Sequence, residues 1–168
     1  LFSLLWPGLL GPALGLRLSP VVRSLLVWNW DPALCEPLVS AGAQLLDAPA
    51  QAIEGAFTVI TVLRDGPITS EVVASLGGLK QCCVMPMGTM GISESVALET
   101  QVQEQGGGYI DAPVLGSRPE AWAGRLRVMA GGDQGAVVQQ RALVTHLAVG
   151  RERRGCGGSG RRDTAAAT

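Results

Sequence analysis

Residues 24–42 read SLLVWNWDPALCEPLVSAG, and this stretch decides the fold class. Ser24–Trp28 is an apolar run without polar alternation, which predicts a strand buried on both faces. Asp31 followed by Pro32 predicts a helix start. The carboxylate caps an orphan amide, and a proline in the first turn has no N–H to leave unsatisfied. A helix through Cys35, Leu38 and Val39 follows, and Gly42 stops it. A buried strand leading into a capped helix is the first part of a β-α-β unit.

The same alternation continues downstream. Strands are predicted at 44–46, 57–63, 81–85, 109–114 and 125–130, and helices at 48–54, 68–76 and 93–105. Asp133 caps a last helix with Val137, Leu143 and Leu147 on one face. Apolar strands interleaved with helices predict an α/β, Rossmann-like, doubly wound and mostly parallel sheet, with its ligand at the carboxyl ends of the strands. Residues 1–148 form this domain, and 149–168 form an Arg/Gly-rich tail without periodicity, read as disordered.

Composition narrows the functions available. The chain has 168 residues, 47% of them hydrophobic and 16% charged, with a formal net charge of −1. Five of its arginines lie in the tail, so the remainder is acidic, and no nucleic-acid partner is expected. Cys35, Cys82, Cys83 and Cys156 form no CxxC pair and there is one histidine, so no metal site is expected. Vicinal Cys82 and Cys83 in an apolar run suit a reducing compartment, cytoplasm or the matrix of an organelle. Residues 1–16 are uncharged, but Pro7, Gly8, Gly11 and Pro12 interrupt them, and no membrane segment is expected. The chain opens on Leu1 rather than Met, which fits a piece of a longer protein.

In a dinucleotide fold the first strand-to-helix turn carries GxGxxG. Here it reads Trp6-Pro7-Gly8-Leu9-Leu10-Gly11. Gly8 and Gly11 fit the second and third glycines, which admit the pyrophosphate and let helix pack on strand. Trp6 stands in place of the first, and a plain apolar strand and turn is the alternative. Asn29 stands at the ribose-contacting position at the end of the second strand. It can hydrogen-bond a ribose hydroxyl, or simply enter a helix.

These residues also carry a resemblance. LLVWNWDPALCEPLVSAGAQ (25–44), TVITVLRDG (58–66), MGTMGISES (87–95) and GGGYIDAPVLGSRPEAWAGRLRVMAGGD (106–133) follow in the order found in the β-hydroxyacid dehydrogenases. That family includes 3-hydroxyisobutyrate dehydrogenase, glyoxylate/succinic semialdehyde reductase and 6-phosphogluconate dehydrogenase. The resemblance implies a domain that binds NADP or NAD and serves hydride transfer to or from a small hydroxy acid or aldehyde. It places the cofactor on Gly8, Leu9, Leu10, Gly11, Asn29, Trp30, Leu63, Arg64 and Thr89. It places the substrate carboxylate on the turn Val114, Leu115, Gly116 and Ser117, where a plain strand-to-helix connection is the alternative.

Departures accompany the matches. Trp30 stands where members that prefer NADP carry Arg, and it offers a stacking face without charge. Leu115 replaces the turn's serine, Gly88 the serine before Thr89, and Ile92 a helix-starting proline. The family's catalytic lysine sits in a GxxxKxxxN helix of a following helical domain, and neither is present in this sequence. Lys80, the only lysine, reads as a solvated loop residue, and His146 as a surface or capping residue. No catalytic residue is assigned. A catalytically inactive or non-enzymatic nucleotide-binding module is the alternative function.

Overall fold

The computed structural model describes residues 1–5, 10–80, 82–132 and 134–147. Trp6, Gly8 and Leu9 of the glycine-rich turn, the Asp133 cap and the tail from 149 onward lie outside these residues.

Among the described residues, seven strands form one sheet whose order, by the ranges that follow, is β3-β2-β1-β4-β5-β6-β9. They are β1 Phe2–Leu5, β2 Leu25–Trp28, β3 Gln44–Leu45, β4 Thr58–Thr61, β5 Cys83–Pro86, β6 Gly108–Asp111 and β9 Gly131–Gly132. β1 to β6 pair in parallel, and β9 closes the edge antiparallel to β6. Leu5 lies in register with both Trp28 and Thr61, and Thr61 with Pro86, so four strands end level. All four residues of β2, β4 and β5 are buried, as expected of a parallel sheet covered on both faces.

The covering helices split the core in two. α1 (Gly11–Leu18), α2 (Glu36–Val39), α5 (Arg118–Trp122) and α7 (Arg141–Leu147) pack on one face, where Leu14, Leu18, Leu38, Ala121 and Leu147 join Leu4 and Ile60. α3 (Gly66–Ser75) and α4 (Ile92–Glu104) cover the other, through Val72, Val73, Leu98 and Val102 against Leu5, Val59 and Val84. α6 (Gln134–Gln139) precedes α7. Gly15 lets α1 approach, because a Cβ there would fall 2.5 Å from the Leu38 side chain and 3.1 Å from that of Leu4.

Several elements differ from the sequence reading. The helix after β2 begins as a 3-10 turn over Pro32–Cys35. Pro37 has no N–H to bond the Ala33 carbonyl, which instead accepts from Glu36. The strand read as 109–114 leaves the sheet at Asp111. Ala112 still donates to the Pro86 carbonyl, but Pro113 cannot extend the ladder. The chain then forms a separate antiparallel ribbon of β7 (Val114–Leu115) and β8 (Arg127–Val128), with α5 between them. Of the strand read as 125–130, only Arg127–Val128 is strand, as β8, and β9 begins beyond it at Gly131. The last helix is interrupted at Gln140, although Gln140 N–H to Ala136 and Val144 N–H to Gln140 continue its ladder.

Candidate functional site

The level carboxyl ends of β2, β1, β4 and β5 set the site, because successive connections leave them in opposite directions at β1 and open a crevice there. Leu10 caps α1 without a side-chain hydrogen bond, and Gly11, buried, is its first residue. Pro12 in that first turn brings no N–H. Amides at such a helix start favour an anion.

At the end of β2, Asn29 is only 3% exposed. Its Oδ1 accepts the Asp31 N–H at 3.1 Å, and this bond fixes the amide plane. Its Nδ2 is buried and has no hydrogen-bond partner among the described residues. Such a donor is costly unless something accepts from it. Trp30 is half exposed, its ring edge-on to Trp28 with centroids 4.8 Å apart.

The ends of β4 and β5 touch. A Cβ on Gly88 would lie 2.1 Å from the Leu63 carbonyl oxygen, so only glycine permits this approach. Leu63 is buried and Thr89 exposed on the adjoining loop. Arg64 reaches outward, its Nε 2.9 Å from Asp65 Oδ2. The Asp65 carboxyl is held below its ordinary range, first by the Ile68 N–H that it caps and then by Arg64. Sequence reasoning missed Thr61, whose buried hydroxyl has no partner among the described residues and stands beside Leu5 at the centre of this edge. Nothing in the local sequence distinguishes it from any β-branched core residue.

Residues 114–117 follow β6: Val114 and Leu115 lie on the ribbon, and Gly116 and Ser117 lead into α5. Gly116 adopts φ +136°, and the stem of Glu120 packs over it. The Ser117 N–H donates to Glu120 Oε2 at 2.8 Å, and its hydroxyl donates to the same oxygen at 2.5 Å. These bonds hold the Glu120 carboxyl below its ordinary range. The Ser117 amide, one of the turn's donors, therefore already holds the chain's own carboxylate. This pairing was legible as Ser-x-x-Glu, a capping-box signature.

Known proteins share this architecture. The chain is 30% identical over 132 residues to glyoxylate/succinic semialdehyde reductase 1 of Arabidopsis thaliana, covering 76% of this chain and 46% of that protein. It is 28% identical over 139 residues to the cytokine-like nuclear factor N-PAC of Drosophila pseudoobscura pseudoobscura, covering 79% of this chain and 23% of that protein. It thus spans half or less of the length of either. The Mycobacterium tuberculosis 3-hydroxyisobutyrate dehydrogenase structure with L-serine superposes at TM-score 0.86 and 21% identity, over 98% of this chain and 57% of that one. An imine reductase variant of Myxococcus stipitatus in complex with NAD+ superposes at TM-score 0.87 and 17% identity, over 99% of this chain and 57% of that one. At these identities the two structures speak for the fold. The family model for the NAD binding domain of 6-phosphogluconate dehydrogenase matches residues 7–156, and the chain belongs to that family.

Proposed function

We propose that this NAD-binding domain receives its cofactor across the carboxyl ends of β1, β2, β4 and β5 and is the cofactor half of a reductase or dehydrogenase for small hydroxy acids or aldehydes. The observation that carries the reading is the buried Asn29 Nδ2, a donor without a protein partner at the strand end where a dinucleotide ribose is held. The start of α1 at Leu10 and Gly11 suits the pyrophosphate. The Leu63–Gly88 contact and Thr89 would flank the nicotinamide side, and Arg64 the rim. When bound, the nicotinamide supplies hydride transfer, and this chain's residues hold and orient it. The substrate class is supported by similarity to the semialdehyde reductase. Buried free Cys35, Cys82 and Cys83 support a reducing compartment, cytoplasm or an organelle matrix.

A second reading, a nucleotide-binding module without catalysis, is supported by the comparable similarity to N-PAC, which is named as a nuclear factor and not as an enzyme.

Titration with NADH and NADPH, followed by tryptophan fluorescence, tests the cofactor site. Saturable quenching that Asn29→Leu weakens at least about tenfold is expected, since a hydrogen bond to the ribose is lost with that donor. No response to either dinucleotide at millimolar concentration would end the reading. Reduction of succinic semialdehyde by the same preparation would rule out the module reading.

A further inference from the structure

The two dinucleotides differ by a phosphate on the adenosine ribose, and in this fold class that position falls at the end of β2. The inference therefore rests on the cofactor site proposed above. A 2′-hydroxyl needs one or two hydrogen-bond partners. A 2′-phosphate needs several donors and at least partial charge compensation.

The donors at the end of β2 are already engaged. The Asp31 N–H goes to Asn29 Oδ1, and the Ala33 N–H goes to Asp31 Oδ1 at 3.1 Å. The Leu34 N–H goes to the Asp31 carbonyl, and Pro32 has none. Asn29 Nδ2, a neutral donor, is left without a partner among the described residues. The charge is also wrong for a phosphate. Asp31 puts a carboxylate three residues past the strand, and Asp47, exposed, follows the neighbouring strand β3. Trp30, just before Asp31, is neutral. Among the described residues that directly follow β1 to β5, the only cation is Arg64. It lies at the end of β4, separated from β2 by β1, and is paired with Asp65.

We propose that this site selects NAD(H) over NADP(H), with Trp30 and Asp31 as the residues that set the preference. Asn29 serves the ribose hydroxyl, Trp30 covers it without charge, and Asp31 repels a phosphate while occupying the amide that would bind one.

The test is paired titration of the full chain with NADH and NADPH at one ionic strength, read by calorimetry. Tighter binding of NADH by about tenfold or more is expected, the worth of one charge-assisted contact. Trp30→Arg combined with Asp31→Asn should reduce or reverse that ratio; Asn keeps the cap on Ala33, so the helix start is retained. A thermal melt of the double variant checks its folding, and Trp30→Arg alone repeats the test with Asp31 untouched. Equal or tighter binding of NADPH by the unaltered chain overturns the inference alone. If Arg64→Ala then abolishes the NADPH affinity, the phosphate is read from β4 instead. A ratio unmoved in both folded variants also overturns it. Binding of neither dinucleotide overturns the cofactor site itself.

Discussion

Arg17 and His146, 129 positions apart, hold each other reciprocally. Arg17 Nη2 donates to the His146 carbonyl at 3.2 Å, and His146 Nε2 lies 2.8 Å from the Arg17 carbonyl. The guanidinium also fills the space over Gly124, where a Cβ would fall 2.3 Å from its central carbon. One side chain thus ties the first helix to the last and to the loop after α5. This closes the face that begins at the candidate cofactor edge.

Arg17→Met keeps the stem and removes the donor. We expect a loss of about 1–3 kcal/mol in urea unfolding, because the bond is to a charged group and partly buried. Amide exchange of Val144 and Leu147 should accelerate more than that of β4. Uniform acceleration would mean that the pair does not dock α7 specifically.

Gly88→Ala places a methyl group into the Leu63 carbonyl, and backbone on both loops must move. A cost of about 1–3 kcal/mol in thermal unfolding is expected for such overpacking. Dinucleotide affinity should fall with it, because the loops after β4 and β5 separate. Unchanged stability would show that these loops tolerate separation freely.

Glu120→Ala removes the acceptor of two Ser117 donors. The expected result is faster amide exchange through Arg118–Trp122. The sign of the pH dependence follows from the lowered carboxyl: the contribution is present above the ordinary glutamate range and is lost as pH falls through the lowered folded value. Acidification of the unaltered chain should therefore loosen α5 as the substitution does. A pH-independent protection factor at Ala121, once the intrinsic exchange rate is divided out, would contradict the assignment.

Cys82 and Cys83 are pushed up from 9.0 to about 11 and about 12, mainly by burial. An unfolded chain ionises both near the ordinary value, whereas the folded chain keeps them neutral. Stability is therefore full below about 9 and declines as pH rises from there through the raised values. Both thiols should resist Ellman's reagent at pH 8 until denaturant is added. Rapid labelling of the folded chain at either position would show that the β5 end opens.

The sequence by itself determined which segments are strands and helices over most of the chain, and hence the fold class. Apolar runs such as 25–28 and 58–61, and caps such as Asp31 and Asp65, act within a few residues and need no knowledge of the remainder. The ordered motifs likewise sufficed to name the family. Local pattern did not foretell where β6 would leave the sheet, nor that 114–115 and 127–128 would pair in a ribbon of their own. Only the tertiary structure decided which polar groups are already satisfied. The Ser117 amide is engaged by Glu120, and Asn29, read as a ribose contact or a helix entry, has its Nδ2 buried and without a partner among the described residues. Hydrogen-bond satisfaction and close backbone approach depend on atoms brought from distant parts of the chain, as at Leu63 and Gly88 or Arg17 and His146. Residue type and spacing do not encode them one position at a time.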